Sequence, residues 1–181
     1  MTAPALLESV TQMTLEEFLA LPDPPSGHYE LHRGELVLVP PPKKQHTRRQ
    51  KQIERLVEPP TLEFGVVFTE MPFLPAPDYE CWVADVALTA HKRWDAIEDY
   101  LAGAPDFMVE VLSPSQSANK LFDKERVCLE NGCREFWVVN EKLKEVKVTT
   151  ADFTTRTYRL DESIPLTFLP GVSIAVADIF A

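Results

Sequence analysis

The chain has 181 residues, of which 45% are hydrophobic and 25% charged, and this composition fits one globular domain with its own core. The formal net charge of −10 disfavours non-specific binding to nucleic acid, although a local basic patch can still bind phosphates. The sequence has three cysteines, no paired metal-ligand spacing, no signal-peptide pattern and no apolar run that could span a bilayer. We therefore expect a cytosolic protein without a disulfide framework, zinc finger or membrane segment.

The amino-terminal part of the chain is predicted to contain two helices separated by a hairpin. Residues 1–12 carry little pattern, so we expect a flexible segment ahead of a single domain over 13–181. A capping box, proline stops and alternating apolar residues define the elements that follow. They are a short helix from Thr14 to Leu21, strands at Tyr29–Leu31 and Glu35–Val39 around Arg33-Gly34, and a basic helix from Lys43 to Glu58 that Pro59-Pro60 closes.

The middle of the chain predicts three strands, a helix and a fourth strand. The apolar runs at 66–69 (extending toward Phe73), 82–88, 106–112 and 136–139 read as strands, and a helix is expected over Ser117–Asn131. Because a strand, a crossover helix and a strand form a right-handed unit, strands 106–112 and 136–139 should be parallel. A short helix is also expected at 96–101, and a second hairpin over 144–160.

Together with the basic helix, these elements follow the order helix, three strands, helix, strand. With β-hairpins on both flanks, this order predicts an α/β (α+β) fold built on a mixed sheet.

Two carboxylates stand inside apolar strands. Asp85 interrupts the run at 82–88 and Glu110 the run at 106–112, where a charged side chain normally has a partner or a function. On neighbouring strands the two carboxylates could converge and hold a hard cation such as Mg²⁺, an arrangement suited to phosphodiester hydrolysis. Lys124 and Lys120, one helical turn apart, are candidates for orienting the attacking water and stabilising the transition state.

Each of these residues also has a simple structural interpretation. Asp85 could accept backbone hydrogen bonds at a strand end, and Glu110 could pair with Lys124 for stability alone. The basic cluster of the second helix could be a solvated face. Its members are Lys43, Lys44, Arg48, Arg49, Lys51 and Arg55.

The pattern resembles a known family. The stretches that carry the resemblance are YELHRGELVLVPPPKKQH (Tyr29 to His46), WVADVAL, APDFMVEVLSPS and ENGCREFWVVN. They resemble the Uma-two family of restriction-endonuclease-like bacterial proteins, and the likeness runs from about Met13 to Ala181. The resemblance implies a PD-(D/E)-x-K nuclease fold and cleavage of DNA or a related nucleic acid with Mg²⁺ or Mn²⁺.

The resemblance also implies roles for individual residues. Asp85 matches the first acidic residue and Glu110 the second, both as metal ligands, and Lys124 matches the catalytic lysine, which in this family stands on the following helix. Leu112 occupies the usual lysine position. His46 matches a recurring auxiliary histidine. We take Lys43, Lys44 and Arg48 of the basic cluster, together with Lys120 of the later helix, as further candidate contacts to nucleic acid.

Some residues depart from the family pattern. Ala84 stands where a proline is usual before the aspartate, and Cys128 where a tyrosine is usual. These departures keep a second hypothesis open, namely a nuclease fold that has lost catalysis and acts as an interaction or assembly module. In either case we expect a homodimer, because nucleases of this fold often pair to cut two strands and symmetric dimers are the commonest oligomers.

Overall fold

The computed structural model describes residues 12–75, 79–113 and 118–181. The segment predicted to be flexible, 1–12, therefore lies outside the described residues except for Gln12, as does most of the turn after Ser113. The helices are α1 (Leu15–Leu19), α2 (Lys44–Thr61), α3 (His91–Trp94), α4 (Ala118–Glu130) and α5 (Val176–Ile179). The strands are β1 (His28–His32), β2 (Glu35–Val39), β3 (Gly65–Leu74), β4 (Trp82–Ala90), β5 (Leu101–Ala102), β6 (Phe107–Val111), β7 (Glu135–Asn140), β8 (Glu145–Thr150), β9 (Thr155–Arg159), β10 (Ser163–Pro165) and β11 (Ser173–Ala175).

A mixed seven-stranded sheet forms the centre of the fold, with the strand order β5-β3-β4-β6-β7-β8-β9. β4 is antiparallel to both β3 and β6, whereas β6 and β7 are parallel and joined through α4. The predicted order of helix, three strands, helix, strand is confirmed as α2, β3, β4, β6, α4 and β7. The strands that carry Asp85 and Glu110 are neighbours, which is the condition under which we expected the two carboxylates to converge.

Both faces of the central strands are covered, which explains their nearly continuous apolar runs. On one face α2 buries Ile53 and Val57 against β4, β6 and β7. On the other face α4 buries Leu121 and Cys128. The site described below therefore rests on strands that are fixed from both sides.

The pairing of β3 and β4 is distorted at one point. Thr69 pairs with Val86 and Met71 with Ala84, while Glu70, between them, has a left-handed φ of 56°. Ala84 packs toward α4 and Val86 toward α2, although residues two apart in a regular strand share one face. The alternation of side chains between the two faces of the sheet is thus interrupted at Glu70 and Asp85, and these two carboxylates lie at the interruption.

The hairpin β1–β2 is anchored to the start of β4. Arg33 and Gly34 both have positive φ, the conformation of a tight two-residue hairpin turn. Leu31 and Cys81 exchange backbone hydrogen bonds of 2.8 and 2.9 Å, and the amide of Gly34 donates to the carbonyl of Tyr79. These contacts fix the residues of β1 over β4.

Two local predictions were wrong. The helix expected at 96–101 is absent; α3 forms earlier, at His91–Trp94, and Leu101 joins the sheet by pairing with Phe73. The second helix does not end before Pro59-Pro60 but continues to Thr61, whose hydroxyl donates to the Val57 carbonyl at 2.8 Å. Proline's fixed φ is compatible with a helix, although each of the two prolines lacks an N–H donor and its ring crowds the carbonyl four residues earlier. Within the described part of the chain, no helix combines the length and apolar character needed to cross a bilayer.

Candidate metal centre

Three potential metal ligands meet at the distortion between β3 and β4. One ligand atom from each of His46, Glu70 and Asp85 lies within 4.8 Å of the other two. The Nε2 atom of His46 is 2.9 Å from Oδ1 of Asp85. His46 comes from the first turn of α2, Glu70 from β3 and Asp85 from β4, so three separate elements build the cluster.

Asp85 is held by donors on both of its oxygens. The backbone amide of Val111 donates to Oδ2 at 2.7 Å, and the side-chain amide of Gln50 donates to Oδ1 at 3.0 Å. The same Gln50 nitrogen also donates to Glu70 through a short hydrogen bond. Gln50 is a buried, neutral residue, so it orients both carboxylates without neutralising their charge.

The cluster carries excess negative charge. Among the described residues no lysine or arginine forms an ion pair with Glu70 or Asp85. The hydrogen bond to Asp85 raises the pKa of His46; burial opposes this, and the charges of Asp85, Glu70 and Glu110 add to it. The electrostatic field at this point therefore favours an additional positive charge.

The donor set fits a divalent cation. Two ligands at ~2.1 Å from one ion in adjacent octahedral positions lie ~3 Å apart, close to the His46–Asp85 distance. Carboxylate oxygens suit Mg²⁺ and Mn²⁺, and an imidazole nitrogen shifts the preference toward transition metals. The residues present are thus compatible with Mn²⁺ and, less favourably, with Mg²⁺.

A buried ion pair lies beside this cluster. The Nζ atom of Lys124, on α4, is 2.9 Å from Oε1 of Glu110 on β6 and donates to the Val83 carbonyl at 2.8 Å. Oε1 of Glu30, on β1, is 4.0 Å from the same Nζ and accepts from the Val83 amide at 2.8 Å. His32 lies 2.7 Å from the other oxygen of Glu30.

The ammonium of Lys124 is shared between two carboxylates, Glu110 and Glu30, whose pKa values shift in opposite directions. Burial opposes the charge of Lys124, but Glu110 and Glu30 outweigh it and raise the pKa of the lysine. Burial likewise raises the pKa of Glu30, but Lys124 and the neighbouring His28 and His32 more than reverse this, and its pKa is well below the usual range. For Glu110, burial and the charge of Asp85 prevail over Lys124, and its pKa is raised.

A charged lysine should lower the pKa of the carboxylates beside it. Of the two carboxylates beside Lys124, only Glu30 has a lowered pKa. Glu110 differs because its burial, together with the charge of Asp85, outweighs the effect of the ammonium 2.9 Å away, and its pKa is raised. We therefore take Lys124 as charged, Glu30 as ionised and Glu110 as the group most easily protonated.

Comparison with known proteins agrees with the fold. A family model, Uma2, with the description "Putative restriction endonuclease", matches residues 15–177. The chain belongs to the Uma2 family. Among solved structures, a crystal structure titled as a putative nuclease from Anabaena variabilis is similar, with a TM-score of 0.80 and 23% identity over 93% of this chain and 97% of that chain. No curated protein matches the sequence. The predicted family and α+β fold class are thus confirmed.

For this member of the Uma2 family, the structure places the predicted site residues in two neighbouring contacts. Asp85 and His46 lie together, with Glu70 as the third residue, whereas Glu110 pairs with Lys124 and lies outside the three-residue group. The roles predicted for Asp85, Glu110, Lys124 and His46 stay predictions. The four candidate nucleic-acid contacts are all exposed. Lys43, Lys44 and Arg48 lie at the start of α2, and Lys120 lies on α4.

Sequence reasoning missed Glu70, Gln50 and Glu30. Glu70 is a charged residue inside an apolar strand, the same signal that identified Asp85 and Glu110, and it could have been found. Gln50 and Glu30 are buried polar residues within polar segments, where no local pattern distinguishes them from exposed neighbours.

Proposed function

We propose that this Uma2 protein is a metal-dependent nuclease that hydrolyses phosphodiester bonds in DNA or a related nucleic acid. The observation that carries the proposal is the group of His46, Glu70 and Asp85 beside the buried Lys124–Glu110 pair. A divalent cation and a fixed ammonium together stabilise the negative charge that develops when a phosphodiester is hydrolysed. The family description and the fold of the Anabaena protein support the same reaction class.

His46, Glu70 and Asp85 would hold the cation, Mn²⁺ or Mg²⁺. When bound, such an ion polarises a phosphate oxygen and lowers the pKa of water. Asp85 is the central ligand because Val111 and Gln50 fix its orientation. Glu110 as a second acidic ligand, as expected from sequence, remains a prediction.

Lys124 and Glu110 would act on the nucleophile and on developing charge. Lys124 is a buried, charged donor beside the cluster, so it can stabilise negative charge on the phosphate in the transition state. Glu110 has a raised pKa, which suits a carboxylate that takes the proton of the attacking water. Glu110 and Glu30 together keep Lys124 charged and in place.

The start of α2 offers a phosphate-binding surface beside the cluster. Lys43 precedes the helix and Lys44 begins it, although cations are unfavourable at the positive end of a helix dipole. Neither lysine forms an ion pair within the described residues. A phosphate at this position would satisfy free amide groups and both lysines. Arg48, one turn later, extends the basic surface.

Cleavage assays would test the proposal. Plasmid DNA and short single- and double-stranded DNA and RNA would be incubated with Mn²⁺, Mg²⁺ or EDTA. We expect Mn²⁺-dependent cleavage that falls by about 100-fold or more in Asp85→Asn and Lys124→Gln, consistent with loss of one transition-state contact. Lys92→Gln, an exposed change on α3, is the matched control. Cleavage that persists in Asp85→Asn, or no cleavage of any substrate with either metal, would contradict the proposal.

One feature favours the alternative of an interaction or assembly module. The outer strand of the hairpin, β2, leaves Leu36 and Leu38 exposed. Exposed apolar edge strands are common association sites. Light scattering of the wild type and of Leu38→Lys would test this role and the expected homodimer together, because a dimer through β2 would dissociate in the variant.

A further inference from the structure

The side-chain amide of Gln50 lies between the two carboxylates of the candidate metal centre. Its Nε2 atom donates to Oδ1 of Asp85 at 3.0 Å and, through a short hydrogen bond, to Oε1 of Glu70. Gln50 follows His46 by four residues on α2, so the two side chains lie on the same face of the helix. Both of them therefore reach the same oxygen of Asp85.

Without a cation, the donor end of this amide has to face the carboxylates. Gln50 is only 2% exposed, although the helix around it is rich in polar residues. Its NH₂ group has two hydrogens, one for each carboxylate, whereas a carbonyl oxygen in the same place would repel both. The amide nitrogen thus holds Glu70 and Asp85 together at the point where a shared cation would attract them.

A bound cation reverses this requirement. The NH₂ group of an amide carries only donors and would repel the ion, whereas amide oxygens are regular ligands of hard divalent cations. The two ends of the Gln50 amide exchange places by a half-turn about the last side-chain torsion, whose energy profile is broad and roughly two-fold. The carbonyl oxygen can therefore replace the nitrogen without a movement of α2.

The distances at this position suit a metal ligand. Adjacent ligands at ~2.1 Å from an octahedral ion lie ~3 Å apart. The terminal nitrogen of Gln50 is 3.0 Å from Oδ1 of Asp85, and Nε2 of His46 is 2.9 Å from the same oxygen. An oxygen in the place of that nitrogen would be the neighbour of Asp85 in the coordination shell, as His46 is.

We propose that Gln50 is a fourth protein ligand of the cation. Its amide nitrogen orients the carboxylates before the ion binds, and its carbonyl oxygen coordinates the ion afterwards. The inference rests on the proposed function, which supplies the cation held by His46, Glu70 and Asp85. It predicts that bound Mn²⁺ keeps one water molecule fewer than three protein ligands would leave.

The number of water molecules on bound Mn²⁺ would test this role. The full chain would be titrated with Mn²⁺ and followed by calorimetry and by the proton relaxation rate of water, which depends on how many waters the ion holds. Gln50→Met keeps the length of the side chain but removes the oxygen. Its bound Mn²⁺ should hold one water more than in the wild type, and its affinity should fall by about tenfold.

Further variants separate coordination from folding and from charge. Gln50→Ala gives the same water count if urea denaturation shows that Gln50→Met does not fold. Gln50→Glu returns an oxygen to the same place and should show the wild-type number of waters. Gln45→Met, an exposed change in the first turn of α2, is the matched control and should behave as the wild type does.

Three results would overturn the inference. An unchanged water number in Gln50→Met would leave Gln50 as a donor that only orients the carboxylates. Tighter Mn²⁺ binding in that variant would mean that the amide competes with the ion, and fewer waters in Gln50→Glu than in the wild type would mean that the amide does not coordinate. A wild type that binds Mn²⁺ but cleaves no nucleic acid would contradict the proposed function alone, whereas a wild type that binds no Mn²⁺ would contradict both.

Discussion

Two polar clusters flank β4 and differ in how their charges are balanced. In the open cluster, the side chains of His46 and Asp85 are 19% and 17% exposed and Glu70 is exposed outright. In the closed cluster, Lys124, Glu110 and Glu30 are 8%, 6% and 10% exposed. The closed cluster contains the ammonium of Lys124, whereas the two carboxylates of the open cluster share the neutral donor Gln50 and contact the imidazole of His46.

This difference assigns a separate task to each cluster. A buried carboxylate without a partner is costly, so Lys124 is required by the fold itself. The open cluster can tolerate its charge in contact with water, and an external cation would relieve the repulsion. Both clusters are attached to β4. The backbone of Val83 hydrogen-bonds to Lys124 and Glu30 of the closed cluster, and Asp85 belongs to the open cluster.

The largest effect is expected from removing the internal cation. Lys124→Met leaves Glu110 and Glu30 buried without their counter-charge, and the free energy of unfolding should fall by about 3–5 kcal/mol. Urea denaturation at neutral pH measures this. Lys120→Met, one turn earlier on α4 and exposed, should change stability by no more than about 0.5 kcal/mol. Equal effects of the two substitutions would show that the closed cluster contributes no net stability.

The open cluster should respond to metal where the closed one does not. Calorimetry should show Mn²⁺ binding tighter than Mg²⁺ binding, because His46 supplies an imidazole ligand. Asp85→Asn should weaken Mn²⁺ binding by about 100-fold or more, as expected when the central ligand loses its charge. Glu58→Gln, an exposed change on α2, is the control. Equal binding in Asp85→Asn would place the cation elsewhere.

The sequence predicted those elements that a continuous apolar run or a local capping motif identifies. β4, β6 and β7 are buried on both faces and therefore appear as apolar runs, and the capping box of Thr14 and Glu17 marks the start of α1 by its own hydrogen bonds. β5 could not be predicted, because two residues form a strand only through pairing with β3. That contact between distant segments leaves no trace in the local sequence.

The site shows the same limit. Asp85 and Glu110 stand out because a carboxylate in an apolar strand is unusual, but that Asp85 meets His46 and Glu70 while Glu110 pairs with Lys124 follows only from the tertiary structure. Glu30 lies in a polar hairpin, and its burial follows from the docking of that hairpin on Cys81. Sequence therefore identifies the chemical groups, whereas the distribution of charge between them requires the tertiary structure.

Glu30 allows the closed cluster to be tested by pH. Lys124 and the nearby histidines outweigh burial and hold the pKa of Glu30 low, so its contribution to stability is present above the ordinary glutamate pKa of about 4.3 and is lost as pH falls toward the lowered value. Glu30→Gln should lower the free energy of unfolding by about 1–3 kcal/mol at neutral pH. The difference from wild type should stay constant down to about pH 5 and shrink below it.

The smallest effect concerns the backbone of the open cluster. A non-glycine residue in the left-handed region costs about 1–2 kcal/mol, and Glu70 has a φ of 56°. In Glu70→Gly this strain disappears while the unfolded chain gains entropy, so the metal-free protein should be equally stable or up to about 1 kcal/mol more stable. Mn²⁺ binding should nevertheless weaken. Urea denaturation and calorimetry on the same variant measure both quantities, and Glu70→Gln, which keeps the strain but loses the charge, is the matched control. A clear loss of stability in Glu70→Gly alone would mean that the Glu70 side chain supports the fold rather than a cation.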